Sequence, residues 1–486
     1  MTKNEKLIFF TLLFFNLILL SVFVSFRYLD ADEGIYLTAA ALVQEGKLPY
    51  LDFFYPQMPL LPFLYSFIAN LGMNSLFLGR ILSAFFNFIL GLFLFLFTKR
   101  LFNKTSLALT LFFLFSFNGF LLTWHSVIKT YSLSTLFCFF SFIFLNFAFA
   151  KNEGKKLYFL LSGLFLGSAF STRLIFLPLF FLAILLIFTL SQELLKKKIA
   201  YVLLLSCGFV ISSGLIIYFL FSSPFNFTFE NFTYHRLWGE NVVQTKPNVL
   251  ISFLKFSLFP QNLILILLSI FSLILILKKK ENLNFPVLFS FIFALIIIVS
   301  YLFVRPPQPQ YYVQALPFLI FASAPALAYL FLKMKKNILK ISAWLLGIIY
   351  IASLIPILLI FVSAIREKDK VFQISEVKKV VTLIQKNSNE NDEVLSSWPG
   401  YVVLAQRKPI EGAETVGYEV IKFLKPEEVE KLKLLSFENL KERIEKKEIP
   451  LIVGKEGILD PLTNIISENY QPIDSVNSII LYKPKE

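Results

Sequence analysis

Residues 7–26 read LIFFTLLFFNLILLSVFVSF, and after Arg27 the chain continues Tyr28-Leu29-Asp30-Ala31-Asp32-Glu33-Gly34-Ile35-Tyr36. An uncharged apolar run of this length, wound as a helix, covers about 30 Å. That is the hydrocarbon thickness of a bilayer. The run lacks a small-residue cleavage site, and many similar runs follow it. It therefore reads as a retained first span rather than a signal peptide. Three carboxylates stand where that span leaves the membrane.

Composition points the same way. Hydrophobic residues make up 57% of the 486, Phe alone supplies 60, and only 16% are charged. A soluble domain carries roughly 25% charged residues. A soluble enzyme, a disordered chain and a fibrous protein are excluded, and the class is a polytopic α-helical membrane protein. Eleven segments are apolar and long enough to count as spans, at about 7–27, 76–98, 105–123, 128–150, 157–171, 174–190, 199–222, 251–277, 285–304, 311–332 and 338–364. Leu60–Leu71 is too short to span, and reads as a helix lying at the interface or re-entering.

Charge gives the orientation. The net charge is +14, but residues 366–486 hold 19 basic and 21 acidic residues, so the excess belongs to residues 1–365. With the N-terminus cytoplasmic, every inside loop is basic. The loops carry Lys3 and Lys6; Lys99, Arg100 and Lys104; Lys151, Lys155 and Lys156; Lys196–Lys198; Lys278–Lys280; and Lys333, Lys335, Lys336 and Lys340. The basic excess thus follows membrane topology, and a nucleic-acid partner is not expected. The expected location is the plasma membrane, with the polar tail extracytoplasmic. Residues 1–365 are expected to form a transmembrane domain, the one that would hold any catalytic site, with long outer loops at 28–75 and 223–250. Residues 366–486 read as a small soluble α/β domain: helices at Ile374–Lys386 and Ser436–Lys447, strands at Val394–Ser397, Pro450–Val453 and Ser478–Tyr482. Cys138 and Cys207 lie in apolar runs and make no disulfide framework. With only His125 and His235, a His-rich metal site is impossible.

The acids are concentrated. The outer part of residues 1–365 has Asp30, Asp32, Glu33, Glu45, Asp52, Glu230 and Glu240, and five of these seven fall in the first loop. That loop continues Gly46-Lys47-Leu48-Pro49-Tyr50-Leu51-Asp52-Phe53-Phe54-Tyr55-Pro56-Gln57-Met58-Pro59-Leu60. Asp-Glu-Gly-x-Tyr, a helix ending in Gly, then Pro-Tyr-x-Asp-Phe and Pro-Leu, resembles the first outer loop of GT-C membrane glycosyltransferases. The branch it resembles holds the protein O-mannosyltransferases and the lipid A aminoarabinose transferases. Ser171-Thr172-Arg173 resembles that family's Thr-Lys/Arg before a Leu-Pro-rich span, and Gln310-Tyr311-Tyr312 through Pro317 resembles its Arg/His-Tyr segment. One departure counts against aminoarabinose as the sugar. Those enzymes carry a further acid in the second outer turn, and Thr123–Thr135 has none. Nor does that turn offer a second metal ligand, so no cofactor or metal is expected.

The resemblance implies inverting transfer of a sugar from a polyprenyl-monophosphate donor to an acceptor hydroxyl of a lipid, glycan or protein at the outer face. The chemistry asks for matching residues. An attacking hydroxyl must lose its proton to a base. The leaving phosphate gains charge, which fixed cations must meet, and an arginine fork suits it. Asp32 is the expected base, with Asp30 its rival. Glu33 completes the catalytic Asp-Glu pair, but adjacent helical side chains diverge by about 100°, so it holds a cation or a loop. Arg173, Arg305, Lys129 and Arg236 are the candidate phosphate ligands. Asp52, which fixes the loop or binds acceptor, and Tyr55, Tyr311 and Tyr312 are candidates for the substrate surface. Trp124 and His125 form another outer turn, read as interfacial. The alternative is a transporter or flippase of a lipid-linked substrate, whose mark is ionisable residues in mid-span. The charges here cluster at span ends.

Overall fold

A computed structural model describes residues 1–150, 154–242, 248–278, 285–333, 336–366, 372–415, 421–455 and 462–486. The first helices are α1 (Lys3–Phe26), α2 (Ala31–Gln44), α3 (Leu60–Tyr65), α4 (Met73–Phe102), α5 (Thr105–Ser116), α6 (Gly119–His125), α7 (Thr130–Ala150) and α8 (Lys155–Thr172). Among the described residues six helices are long and apolar enough to cross a membrane, or up to eight if each of two bent pairs is one span. The bent pairs are α5 with α6, at 59°, and Leu195–Ser212 with Gly214–Ser222, at 64°.

The eleven apolar segments all fall on helices, but they are not eleven simple spans. Segment 251–277 is broken, with one helix ending at Ser257 and the next beginning at Pro260. Proline has no N–H to continue the earlier ladder, yet it fits a helix start. The described apolar helices within 174–190 and 338–364 are each under 18 residues. The stretch from Leu60 forms α3 and a 3₁₀ turn, ending at Gly72, whose φ of +59° costs little without a Cβ. The second long loop is largely helical from Pro224 to Val242. Residues 243–247 lie outside the described set, as do Lys151, Lys279, Lys280 and Lys335 of the basic loops.

Small residues let the helices approach. A Cβ added to Gly163 of α8 would lie 2.0 Å from the Leu205 carbonyl oxygen, and one on Gly208 would lie 2.2 Å from that of Leu160. The largest apolar core runs through α4, α5, α7, α8 and the helices from Phe285 to Lys333.

The C-terminal region forms a five-stranded sheet in the order β2-β1-β3-β5-β4. Its strands are β1 (Glu393–Ser396), β2 (Lys408–Pro409), β3 (Leu451–Lys455), β4 (Tyr470–Val476) and β5 (Ile479–Pro484). The pairs β1/β2 and β1/β3 are parallel, and β3/β5 and β4/β5 antiparallel. Asn477, with φ of +53°, turns the last hairpin. The expected domain boundary falls at the end of helix Ile355–Arg366, and residues 367–371 beyond it are outside the described set. This sheet region shares a core with the first loop. Leu37, Ala40 and Leu61 pack in one cluster with Val377, Trp398, Tyr401, Val403, Leu451 and Leu481.

Candidate active site

The acidic motif makes the first turn of α2. Asp30 is the N-cap, and its Oδ1 accepts the Asp32 N–H at 3.1 Å. Glu33 reaches back to accept the Asp30 N–H at 2.9 Å. This reciprocal capping box is what Asp-x-x-Glu before an apolar stretch encodes. It also sends the three carboxylates in different directions.

Glu33 turns inward. Its Oε1 accepts from Arg80 Nε at 2.8 Å and its Oε2 from an Arg80 terminal nitrogen at 2.6 Å, and both side chains are fully buried. The Ile128 N–H adds a bond at 3.2 Å. Arg80 also donates to the carbonyls of Val24, Arg27 and Tyr28. Both oxygens of Glu33 are therefore committed inside the protein, in the cation-holding place expected of it beside Asp32. It holds a cation and, through it, the end of α1.

Asp30 and Asp32 meet on Lys129, in the turn between α6 and α7. Lys129 Nζ lies 2.8 Å from Asp30 Oδ1 and 2.9 Å from Asp32 Oδ2. Arg27 lies 3.8 Å from the other Asp30 oxygen. Burial opposes the charge of Asp30, but Lys129 and then Arg27 outweigh it and hold its pKa below the usual value. Burial likewise opposes the charge of Lys129, and Asp32 and Asp30 push its pKa well above the ordinary one. Asp32 differs from Asp30 in one respect that matters: its side chain is 50% exposed, against 16%. It is held on one side and open on the other.

Arg173 stands between α8 and the next helix. It donates to the Thr130 hydroxyl at 2.6 Å, and among the described residues it pairs with no carboxylate. Three tyrosine rings surround it instead, Tyr131 at 4.7 Å, Tyr311 at 5.1 Å and Tyr301 at 5.4 Å. Aromatic faces solvate a cation without neutralising it. Lys129 lies 5.8 Å from the same Tyr131 ring. Tyr36 of α2 is buried within reach of the charges of Asp32, Arg173 and Lys129, joining α2 to the group. The charge count is then simple. Arg27 and Lys129 balance Asp30 and Asp32, Arg80 balances Glu33, and Arg173, on the Tyr131 ring that Lys129 also approaches, is left as one positive charge.

The other candidates lie elsewhere or act differently. Asp52 accepts the Leu48 N–H at 2.8 Å and stabilises its own turn. Tyr55 is fully buried, with its ring near Tyr36 and Tyr50, and its backbone N–H donates to Glu230 at 2.5 Å. Tyr312 packs against Phe253 and Phe256 and, edge-on, against the Tyr301 ring. Arg305 is exposed and donates to the carbonyls of Leu302 and Val304. Arg236 is exposed on its short helix. Of the four candidate cations, Lys129 binds the acidic turn directly and Arg173 shares the Tyr131 ring with it. Sequence reasoning missed Arg27, Arg80, Tyr36, Tyr131 and Tyr301, and it set Trp124 aside. That ring carries Arg27 at 4.8 Å and Lys129 at 5.2 Å. The available signal was Arg80 itself, the one charge within segment 76–98.

The overall arrangement is shared with solved structures. ArnT from Cupriavidus metallidurans bound to undecaprenyl phosphate matches with a TM-score of 0.68 over 96% of each chain, at 12% identity, and its apo state matches equally. The Archaeoglobus fulgidus oligosaccharyltransferase in its apo form matches with a TM-score of 0.54 at 13% identity, over 98% of this chain and 74% of that one. The chain has the GT-C fold of membrane glycosyltransferases. A family model, dolichyl-phosphate-mannose-protein mannosyltransferase, matches residues 56–218. That range begins after the acidic turn and includes Arg80, Lys129 and Arg173. No curated protein sequence matches the chain. Within the GT-C fold, the first loop and the tip of α8 thus supply the charged cluster described above.

Proposed function

We propose that this protein is an inverting glycosyltransferase that takes a sugar from a polyprenyl-monophosphate donor at the outer face of the membrane. The observation that carries the proposal is a half-exposed Asp32 held by Lys129, with a carboxylate-free Arg173 on the same Tyr131 ring that Lys129 approaches. The acceptor oxygen attacks the anomeric carbon, its proton passes to Asp32, and the bond from that carbon to the phosphate oxygen breaks. The lipid phosphodiester becomes a monoester and gains negative charge, and Arg173 meets that charge. Lys129 fixes the orientation of Asp32. Undecaprenyl phosphate bound in the ArnT neighbour supports a polyprenyl donor. The acceptor is a lipid, glycan or protein hydroxyl.

The test is transfer by the purified protein from radiolabelled polyprenyl-phosphate sugars to a membrane extract. Label should move to one acceptor class. Asp32→Asn should lower the rate by about 10²–10⁴ without changing the melting temperature. A folded Asp32→Asn protein with wild-type transfer would overturn the assignment.

A further inference from the structure

The C-terminal region touches the acidic turn at two backbone groups. The Trp398 indole Nε1–H donates to the Ala31 carbonyl at 2.8 Å, across 367 positions of sequence. The Leu29 N–H donates to the Phe372 carbonyl, also at 2.8 Å. Asp30 lies between Leu29 and Ala31, and Asp32 follows directly. The segment whose carboxylates grip Lys129 is thus held on both sides by a part of the chain far away in sequence.

Trp398 is built into this place. It lies between β1 and the helix Pro399–Leu404, and Phe372 and Tyr401 meet its ring edge-on at 5.2 and 4.8 Å. A Cβ on Gly34 would lie 2.6 Å from the indole ring. The ring therefore lies flush on the first turn of α2, and no other residue type at position 34 leaves it room. A buried indole carries one donor and requires an acceptor for it. Here the acceptor is the carbonyl between the two aspartates.

We infer that Trp398 is a positioning residue for Asp30 and Asp32, acting through its indole N–H on the backbone of the acidic turn. The inference rests on the transfer chemistry proposed above for its consequence in rate, but not for its consequence in structure. Displacing a base by about 1 Å from a productive geometry is enough to slow catalysis strongly. Lys129 grips the Asp32 carboxylate on one side only, and the backbone that carries it is fixed by the Trp398 and Phe372 contacts.

The experiment compares the full-length wild type with Trp398→Phe, which keeps an aromatic ring and removes the N–H. Gln406→Ala is the control. Gln406 donates to the Asn70 carbonyl at 3.0 Å, another contact between the C-terminal region and the first loop, and one that leaves the aspartates alone. Three quantities are read: amide hydrogen exchange over residues 29–36, kcat and donor KM for transfer, and the melting temperature. Trp398→Phe should speed exchange over 29–36 and lower kcat, each by about tenfold, with donor KM and melting temperature unchanged. Gln406→Ala should change none of these. Wild-type exchange and kcat in Trp398→Phe would overturn the inference. So would equal losses in Gln406→Ala, or a kcat loss matched by a fall in melting temperature, since both describe general loosening. If the wild type transfers from no polyprenyl-phosphate donor, the transfer proposal fails, and exchange over 29–36 still decides the positioning role.

Discussion

At the scale of the residue, Glu33 and Asp32 show how neighbours in sequence part company. Glu33 is buried against Arg80, whose remaining donors satisfy three carbonyls. Arg80→Met would strand a buried carboxylate and orphan those carbonyls. Removing one partner of such a pair costs about 3–5 kcal/mol, so thermal unfolding in detergent should shift sharply downward. Asp32→Asn, on a half-exposed group, should leave that midpoint in place. Glu414, in the C-terminal region, supplies a pH test. Its Oε2 accepts the Gly412 N–H at 2.9 Å and its Oε1 has no partner among the described residues. Burial pushes its pKa from 4.5 up to about 7, against the pull of Lys47, with Glu411 adding to the rise. The unfolded carboxyl therefore loses its proton before the folded one does. Stability should fall as pH rises from about 4.5 to about 7 and then level off, with a total near 3 kcal/mol. Glu414→Gln should remove that slope from the melting-temperature profile, and an unchanged slope would refute the origin given for it. The acids, Lys129 and Arg173 were legible in sequence because a charge at a span end stands out against an apolar background. Their pairing was not, because Glu33 and Arg80 are 47 residues apart and nothing local links them.

At the scale of the element, period and punctuation explain what could be read. Spans near residues 7, 76, 128 and 285 emerge within a few positions of their observed helices, since apolar length is a strong signal. The break at Phe259-Pro260 was equally visible as a proline, but an uninterrupted apolar run outweighed it. The short β2 and the irregular β4, with its shift between Pro472 and Asp474, carry no clean alternation and escaped notice. The face that α8 presents to its neighbour was written in the sequence as Gly163-x-x-x-Gly167, while the identity of the facing helix was not. Both glycines meet the backbone of Leu195–Ser212, at Leu205 and Phe209. Close backbone approach through small residues is a main source of helix association in a membrane. Gly163→Leu should force these helices apart and lower the melting temperature, with a loss above the 1–3 kcal/mol typical of overpacking. Leu203→Ala on the same partner helix, at a position 64% exposed, should change it little. Equal effects of the two would mean that the glycine contact is not what joins the helices.

At the scale of the whole molecule, the first loop is the hinge of the architecture. Its α2 is held by Arg80 through Glu33, by Lys129 through Asp30, and by the C-terminal region through Trp398. The apolar core repeats this logic, because Leu37, Ala40 and Leu61 are covered by Val377, Tyr401 and Val403 rather than by the membrane helices alone. The two parts that composition separates so clearly, an apolar body and a polar tail, are therefore not independent in packing. A chain ending at Arg366 would expose that shared core, and apolar area costs about 25 cal/mol per Å² when returned to water. Such a truncated protein should lose transfer, unfold at lower temperature, and be cut by trypsin at Lys47 far faster than the full chain. The apolar helices themselves should survive, since every backbone group within them is paired internally, so far-UV helicity should persist while the loop opens. A truncated protein with the full-length melting temperature and an uncut Lys47 would show that the membrane part holds the acidic turn unaided.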